Sequence, residues 1–291
     1  MPGKILYVIN QNSGGASNDE NEALIGKIMH ENQIEYELFS LSGNDDHKNI
    51  MDLINEFKPE TIVAVGGDGT VNFVASVIVG KSLKLGILPT GSANGLAFEL
   101  GISEKVDEAL QLIIAGIAKP MDMVIINEDH ISLHLSDVGI NARIVKEFEK
   151  GDSRGFKGYV KHFIKEMMKP QRSYKCFIKT DNGVFKHRAY MTVIANASKY
   201  RTGANINPNG KINDGLFEVV VIKPHQRWLW KSFIGAFTGK FDQQPHIETY
   251  NCTSAVINTF PLQELQVDGE GLGKTGEIRA SIHKHALQVI Y

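Results

Sequence analysis

Cysteine is scarce in this chain: there are two among 291 residues, Cys176 and Cys252. They lie far apart, match no metal or redox spacing, and fall in strand-like segments. Buried free thiols and a reducing compartment are therefore expected. An excess of basic charge is also missing. Thirty-one Lys and Arg against 33 Asp and Glu leave a formal net charge of −2, without the electrostatic footprint of a nucleic-acid binder. Long apolar runs are absent as well. The run Ile5-Leu6-Tyr7-Val8-Ile9 is too short for a signal-peptide core. No stretch approaches the roughly 18 apolar residues of a bilayer span. The sequence therefore reads as a soluble, cytoplasmic protein with no transmembrane segment and no nucleic-acid partner, one that meets lipid from the surface.

The chain is long enough for two domains, and its 42% hydrophobic content suits a globular core. Over residues 1–122 strands and helices alternate. Strands are expected at 4–9, 35–39, 61–65 and 83–88. Helices are expected at 20–32, 49–57, 71–79 and 106–115, the last with Ser103 as N-cap. This pattern predicts a parallel sheet covered on both faces, with ligands at the carboxyl ends of its strands. Over 123–285 strand patterns dominate, at 131–135, 174–180, 189–195, 216–222, 255–258, 264–267 and 278–282. Asp181-Asn182-Gly183 and Pro208-Asn209-Gly210 mark turns between them. A mainly antiparallel β-sandwich is expected there. A last strand at 286–290 can join either domain, and residues 286–291 are allowed to pack on the first. The cleft between two such domains is a favoured ligand site.

Two helices interrupt the β-rich half. Residues 155–169 place Lys157, Lys161, Lys165 and Lys169 at four-residue spacing, and residues 226–237 carry Arg227, Trp228, Trp230 and Lys231. Such basic amphipathic helices suit an anionic membrane surface. The ordinary reading is an aromatic face packed on the sandwich with solvated lysines.

Five polar clusters carry the chemistry. Asn10-Gln11-Asn12-Ser13-Gly14-Gly15 follows the first strand and suits phosphate or ribose contacts. Gly66-Gly67-Asp68-Gly69-Thr70-Val71-Asn72 joins the third strand to a helix. Such a turn offers bare backbone N–H groups and a helix N-terminus to a phosphate. Its aspartate can serve a metal or a proton and is hard to explain as packing. Pro89-Thr90-Gly91-Ser92-Ala93-Asn94-Gly95 follows the fourth strand and should lie beside it. One cradle would result, with Thr70, Ser92 and Asn94 pointing into it. Asn209-Gly210-Lys211-Ile212-Asn213-Asp214-Gly215-Leu216 could be an ordinary turn or an oxygen-rich loop for a hard cation. Asp268-Gly269-Glu270 sets two carboxylates about a glycine, for taking a proton or holding Mg2+. It could equally be a polar hairpin tip. The remaining histidines show no zinc-like spacing.

Together these motifs resemble the diacylglycerol kinase catalytic family, lipid kinases acting on diacylglycerol, sphingosine or ceramide. The resemblance rests on Gly66-Gly67-Asp68-Gly69-Thr70 with Asn72, Pro89-Thr90-Gly91-Ser92-Ala93-Asn94, Asp214-Gly215-Leu216 and Asp268-Gly269-Glu270. It implies an α/β nucleotide-binding domain, a β-sandwich lipid domain and an active site between them. ATP would lie against Gly66 to Asn72, Thr90, Gly91, Ser92 and Asn94, with Asn10, Ser13 and Ser40 nearby. Asp68 would bind Mg2+-ATP, and Asp122 would support the metal network. A structural Mg2+ would sit at Lys211, Asp214 and Leu216. Asp268 or Glu270 would be the base acting on the lipid hydroxyl, the resemblance leaving open which. One departure concerns the substrate. Many bacterial diacylglycerol kinases have an aspartate where this chain has Gly95, and the pattern here is closer to sphingosine- and ceramide-type kinases. A lipid substrate at a membrane surface is the implied partner, and a homodimer is compatible. The alternatives are an NAD kinase, or a lipid- or nucleotide-binding regulator without catalysis.

Overall fold

The computed structural model of the chain describes residues 3–11, 18–143, 172–199, 205–224 and 245–291. The chain divides into two compact units. The first is Met1–Met121 with His285–Tyr291, and the second is Asp122–Lys284.

The first unit is α/β. Its order is β1 (Ile5–Ile9), α1 (Asn18–Glu31), β2 (Tyr36–Ser40), α2 (Asp46–Phe57), β3 (Thr61–Gly66), α3 (Asp68–Ile78), β4 (Lys84–Pro89), α4 (Gly95–Glu99) and α5 (Val106–Ala115). The strands pair in parallel, in the order β4-β3-β1-β2. Every residue of β1 and β3 is buried. This is why their sequences are unbroken apolar runs rather than alternating ones: both faces of a parallel sheet are covered. The register sets Gly66 beside Pro89, so the two glycine-rich segments leave adjacent strand ends. At α5 the N-cap position belongs to Lys105, not Ser103. The Ser103 hydroxyl instead accepts the Lys105 N–H at 3.2 Å and donates to Glu108 at 2.6 Å.

After β5 (Ala118–Ile126) the chain is β-rich: β6 (His130–Ser132), β7 (Leu135–Gly139), β8 (Tyr174–Thr180), β9 (Gly183–Ala189), β10 (Met191–Ala195), β11 (Phe217–Ile222), β12 (Ile247–Cys252), β13 (Ser254–Val267) and β14 (Glu270–Ile290). The pairings recorded within the second unit are antiparallel. Two apolar clusters fill it. One is built around Tyr174, Ile178, Phe217, Ile257 and Ile278, the other around Leu135, Val193 and Val220.

The expected strand at 131–135 is two strands. Leu133 and His134 fall between β6 and β7 because their N–H groups go to the Asp268 carboxylate. The expected pieces 255–258 and 264–267 are one strand, β13, with a register shift between Asn258 and Gln263. Likewise 278–282 and 286–290 are both β14, with His285 at positive φ where the two units divide. Gln288 and Val289 pair in parallel with Lys84 and Leu85. The expected helices at 155–169 and 226–237, and Ser13, lie outside the described residues.

Candidate active site

In the first unit the site is built where two backbones touch. A Cβ on Gly91 would lie 2.3 Å from the Gly67 Cα, and one on Gly66 would lie 2.3 Å from the Thr70 Oγ1. A side chain at Gly91 would push the two loops apart, and one at Gly66 would collide with Thr70 in its own turn, which accounts for these two glycines. Gly67 has extended backbone and precedes α3, whose first internal bond is Val71 N–H to Gly67 O at 3.1 Å. The N–H groups of Asp68, Gly69 and Thr70 therefore stand at a helix start without intrahelical acceptors.

Asp68 is the clamp. Its carboxylate accepts the N–H of Gly95 at 2.8 Å and that of Leu96 at 3.0 Å. It thus caps α4 from the neighbouring loop and does have a structural task. Charge-assisted bonds of this kind contribute about 1.5–3 kcal/mol each. Thr70 and Asn94 are buried rather than lining an opening. Thr70 Oγ1 accepts from Asn10 Nδ2 at 3.2 Å. Asn94 Nδ2 donates to Pro89 O at 3.2 Å and Gly91 O at 2.9 Å, and its buried Oδ1 has no partner among the described residues. Thr90, Gly91 and Asn72 are half-buried, Val71 is buried, and Gly69 and Ser92 are exposed. Ser40 joins this edge through Gln11, whose Nε2 donates to its Oγ at 3.2 Å.

The second unit holds the acids. Asp268 and Gly269, at φ 45° and 96°, form the two-residue turn between β13 and β14. Asp-Gly suits such a turn because both residues need positive φ. The Asp268 carboxylate accepts the Ser132 hydroxyl at 2.8 Å, the Leu133 N–H at 2.6 Å and the His134 N–H at 3.2 Å. Ser136 donates to Ser132 at 2.8 Å, extending the chain of donors inward. Glu270 is exposed, with no hydrogen-bond partner among the described residues. Ser132, Leu133 and His134 were not picked out from sequence. Two of them act through backbone N–H, which leaves no side-chain signature.

Asp122 is fully buried. Its carboxylate accepts the Gly215 N–H at 2.6 Å, and its own N–H donates to Ile212 O at 2.7 Å. It fastens the 209–216 loop from two sides. Asp214 is exposed and accepts the Leu216 N–H at 3.1 Å through one oxygen, while Lys211 is exposed. Glu218, buried beside Asn207 Nδ2 at 2.6 Å, is pushed above its ordinary range by burial and by Asp214. Among the described residues no three His, Cys, Asp or Glu side chains gather to hold a metal ion. The donors offered are carboxylate and carbonyl oxygens, which suit Mg2+ when waters and nucleotide phosphates complete its shell.

The diacylglycerol kinase catalytic domain model matches residues 4–126, and the YegS C-terminal NAD kinase beta sandwich-like domain model matches residues 137–291, more than half the chain. "Probable lipid kinase YegS-like" from Citrobacter koseri is 31% identical over 228 residues, 75% of this chain and 74% of that protein. The chain belongs to the diacylglycerol kinase and YegS family of lipid kinases. "Lipid kinase YegS" from Escherichia coli K12 is 34% identical over 172 residues, so this family member aligns with 56% of that relative's length. A solved diacylglycerol kinase from Bacillus anthracis shares the fold, with a TM-score of 0.80 at 21% identity over 99% of this chain and 96% of that one. The α/β domain followed by a β-sandwich-like domain is thus the family's architecture.

Proposed function

We propose that this lipid kinase transfers the γ-phosphoryl group of ATP to a hydroxyl of diacylglycerol or a sphingoid-type lipid. The observation that carries the reading is the Gly67–Gly91 contact closed by Asp68. It makes one cradle of backbone N–H groups from two strand ends, a seat for nucleotide phosphates.

Within this reading, Asp68 keeps one acid at the cradle to meet Mg2+ carried by the nucleotide. That ion supplies charge neutralisation on the phosphates. Exposed Asp214 and backbone oxygens of 211 and 216 would hold a second, structural Mg2+, on a loop that Asp122 keeps in shape. In the second unit, Asp268 or Glu270 takes the proton of the lipid hydroxyl. The lipid oxygen bonds to the γ-phosphorus as the bond to the bridging oxygen breaks, and ADP leaves. Three donors fix the direction of the Asp268 carboxylate, while Glu270 is free to accept a proton from solvent-side substrate. Gly95 gives Asp68 its N–H and brings no second carboxylate beside it; a sphingoid-type acceptor stands alongside diacylglycerol because this motif resembles that of sphingosine- and ceramide-type kinases.

Radiolabelled ATP with diacylglycerol, monoacylglycerol, sphingosine, ceramide and NAD tests this reading. Label in a lipid product is expected. Label in NAD alone, or none in any acceptor, would overturn it.

A further inference from the structure

The solvent face of β8, β9, β13 and β14 is not an ordinary mixed surface. β8 alternates strictly, with Tyr174, Cys176, Ile178 and Thr180 inward. The register then lines up the outward residues in rows: Arg188, Lys175 and Phe260, then Lys186, Phe177, Asn258 and Glu277, then Val184, Lys179, Val256 and Arg279. These rows hold five cations. Their one carboxylate, Glu277, is already paired with Arg279 at 2.9 Å. Lys175, Lys179 and Lys186 have no carboxylate partner among the described residues. This concentration of positive charge stands on a chain whose formal net charge is −2.

Large apolar groups stand out among these cations. Val184 is 65% exposed, Phe260 60% and Leu262 57%. Phe177 meets Phe260 edge to face with centroids 6.2 Å apart, and Lys186 Nζ lies 5.9 Å from the Phe177 ring centre. Exposed apolar tips ringed by free cations mark an interaction surface. The charge is complementary to anionic lipid, and long lysine stems can lie on apolar surface while their heads reach phosphates. A hollow of about 630 Å³ opens on the same face, with Lys179, Arg279, Ser254 and Ser281 in its lining. Glu128 and Asp181 also border it, the latter held by the Thr253 hydroxyl at 2.9 Å. Its two cations are matched in number by these two carboxylates, so the attraction for anionic lipid rests on Lys175, Lys179 and Lys186 of the open rows.

We infer that this sheet face docks on an anionic phospholipid bilayer, with Phe260 and Leu262 entering the interface and Lys175, Lys179 and Lys186 meeting the headgroup phosphates. The inference does not rest on the identity of the phosphorylated lipid, and its test needs no ATP.

The full chain is sedimented with vesicles of phosphatidylcholine, and with vesicles of equal parts phosphatidylcholine and phosphatidylglycerol. Binding to the anionic vesicles alone is expected, weakening as salt rises. The triple variant Lys175→Glu, Lys186→Glu, Arg188→Glu should weaken it about tenfold or more. Phe260→Ser with Leu262→Ser should weaken it while keeping the salt dependence. Should the triple variant not fold, as judged by its thermal transition, Lys175→Glu and Lys186→Glu are compared singly. Equal binding to both vesicle types, no binding, or wild-type binding by the variants would overturn the inference. So would sedimentation equilibrium showing a wild-type dimer that the triple variant dissolves, since the face would then be an interface between copies. Turnover of a short-chain acceptor in detergent should be unchanged in every variant. Loss of turnover in the wild type would count against the kinase reading alone.

Discussion

The Asp68 carboxylate reaches across from the end of β3 to accept the Gly95 N–H at 2.8 Å, so the residue proposed to meet the nucleotide's metal also holds its neighbouring loop in place. Asp68→Asn keeps the shape but puts a donor opposite one of two N–H groups. We expect nucleotide binding to be lost, and stability to fall by about 1.5–3 kcal/mol. Calorimetric titration with Mg2+-ATP and urea unfolding measure the two effects. Full binding in this variant would contradict the proposed seat.

Gly91→Ala places a methyl 2.3 Å from the Gly67 Cα. Backbone cannot yield as a side chain can, so the loops must separate. The expected cost is about 1–3 kcal/mol of stability, with nucleotide affinity reduced. A variant that unfolds at the wild-type urea midpoint and binds normally would show that the two loops are not in contact.

Asp268→Asn and Glu270→Gln separate the two candidate bases. Loss of a general base lowers kcat by about 10²–10⁴-fold. The base is the residue whose variant shows that fall with little change in KM for the lipid. Ser132→Ala removes one donor to the Asp268 carboxylate and should cost about 1.5–3 kcal/mol of stability, with a smaller fall in kcat. Unchanged kcat in both acid variants would rule out a role for this turn in proton removal.

Glu218 titrates above the ordinary value of 4.5, chiefly because it is buried. The folded chain therefore holds this proton more tightly than the unfolded one. The contribution is full below about pH 4.5 and is lost as pH rises through the folded value. Glu218→Gln cannot ionise and can still accept from Asn207. It should be at least as stable as the wild type near pH 7, with its relative advantage shrinking toward acid. Parallel urea titrations across pH check the slope, and an advantage growing toward acid would reverse the assignment.

Burial pushes the Cys176 thiol up to about 11 and the Cys252 thiol up to about 12. Thiolate is the reactive form. Both should resist Ellman's reagent in the folded protein and react fully in urea. Rapid native labelling would mean that the sandwich opens locally.

The five polar clusters were legible in sequence because each interrupts a strong strand pattern with glycine and a few polar residues. What each polar side chain does was less legible. Thr70 and Asn94 are as polar as Ser92, yet they face inward and brace the loops, a distinction set by register and by αL backbone at Asn94. The strand β9 was missed because its outward positions are Val184, Lys186 and Arg188, and a half-charged strand resembles a loop. The long strands β13 and β14 were read as fragments, since the register shift near Pro261 and the positive φ at His285 look like ends. The cationic face was hidden for a related reason: four of its five cations lie in the β8–β9 hairpin, and with β9 read as a loop they are not seen to share a face with each other or with Phe260 and Arg279.

The parallel pairing of Gln288 and Val289 with Lys84 and Leu85 has a consequence for biosynthesis. While the ribosome is still making the β-rich half, β4 has the hydrogen-bonding groups of one margin unsatisfied by this partner. The α/β half can collapse early, but its sheet is completed only after residue 289 emerges. Nascent chains stalled before that point should therefore be more open to proteases and chaperones than finished ones.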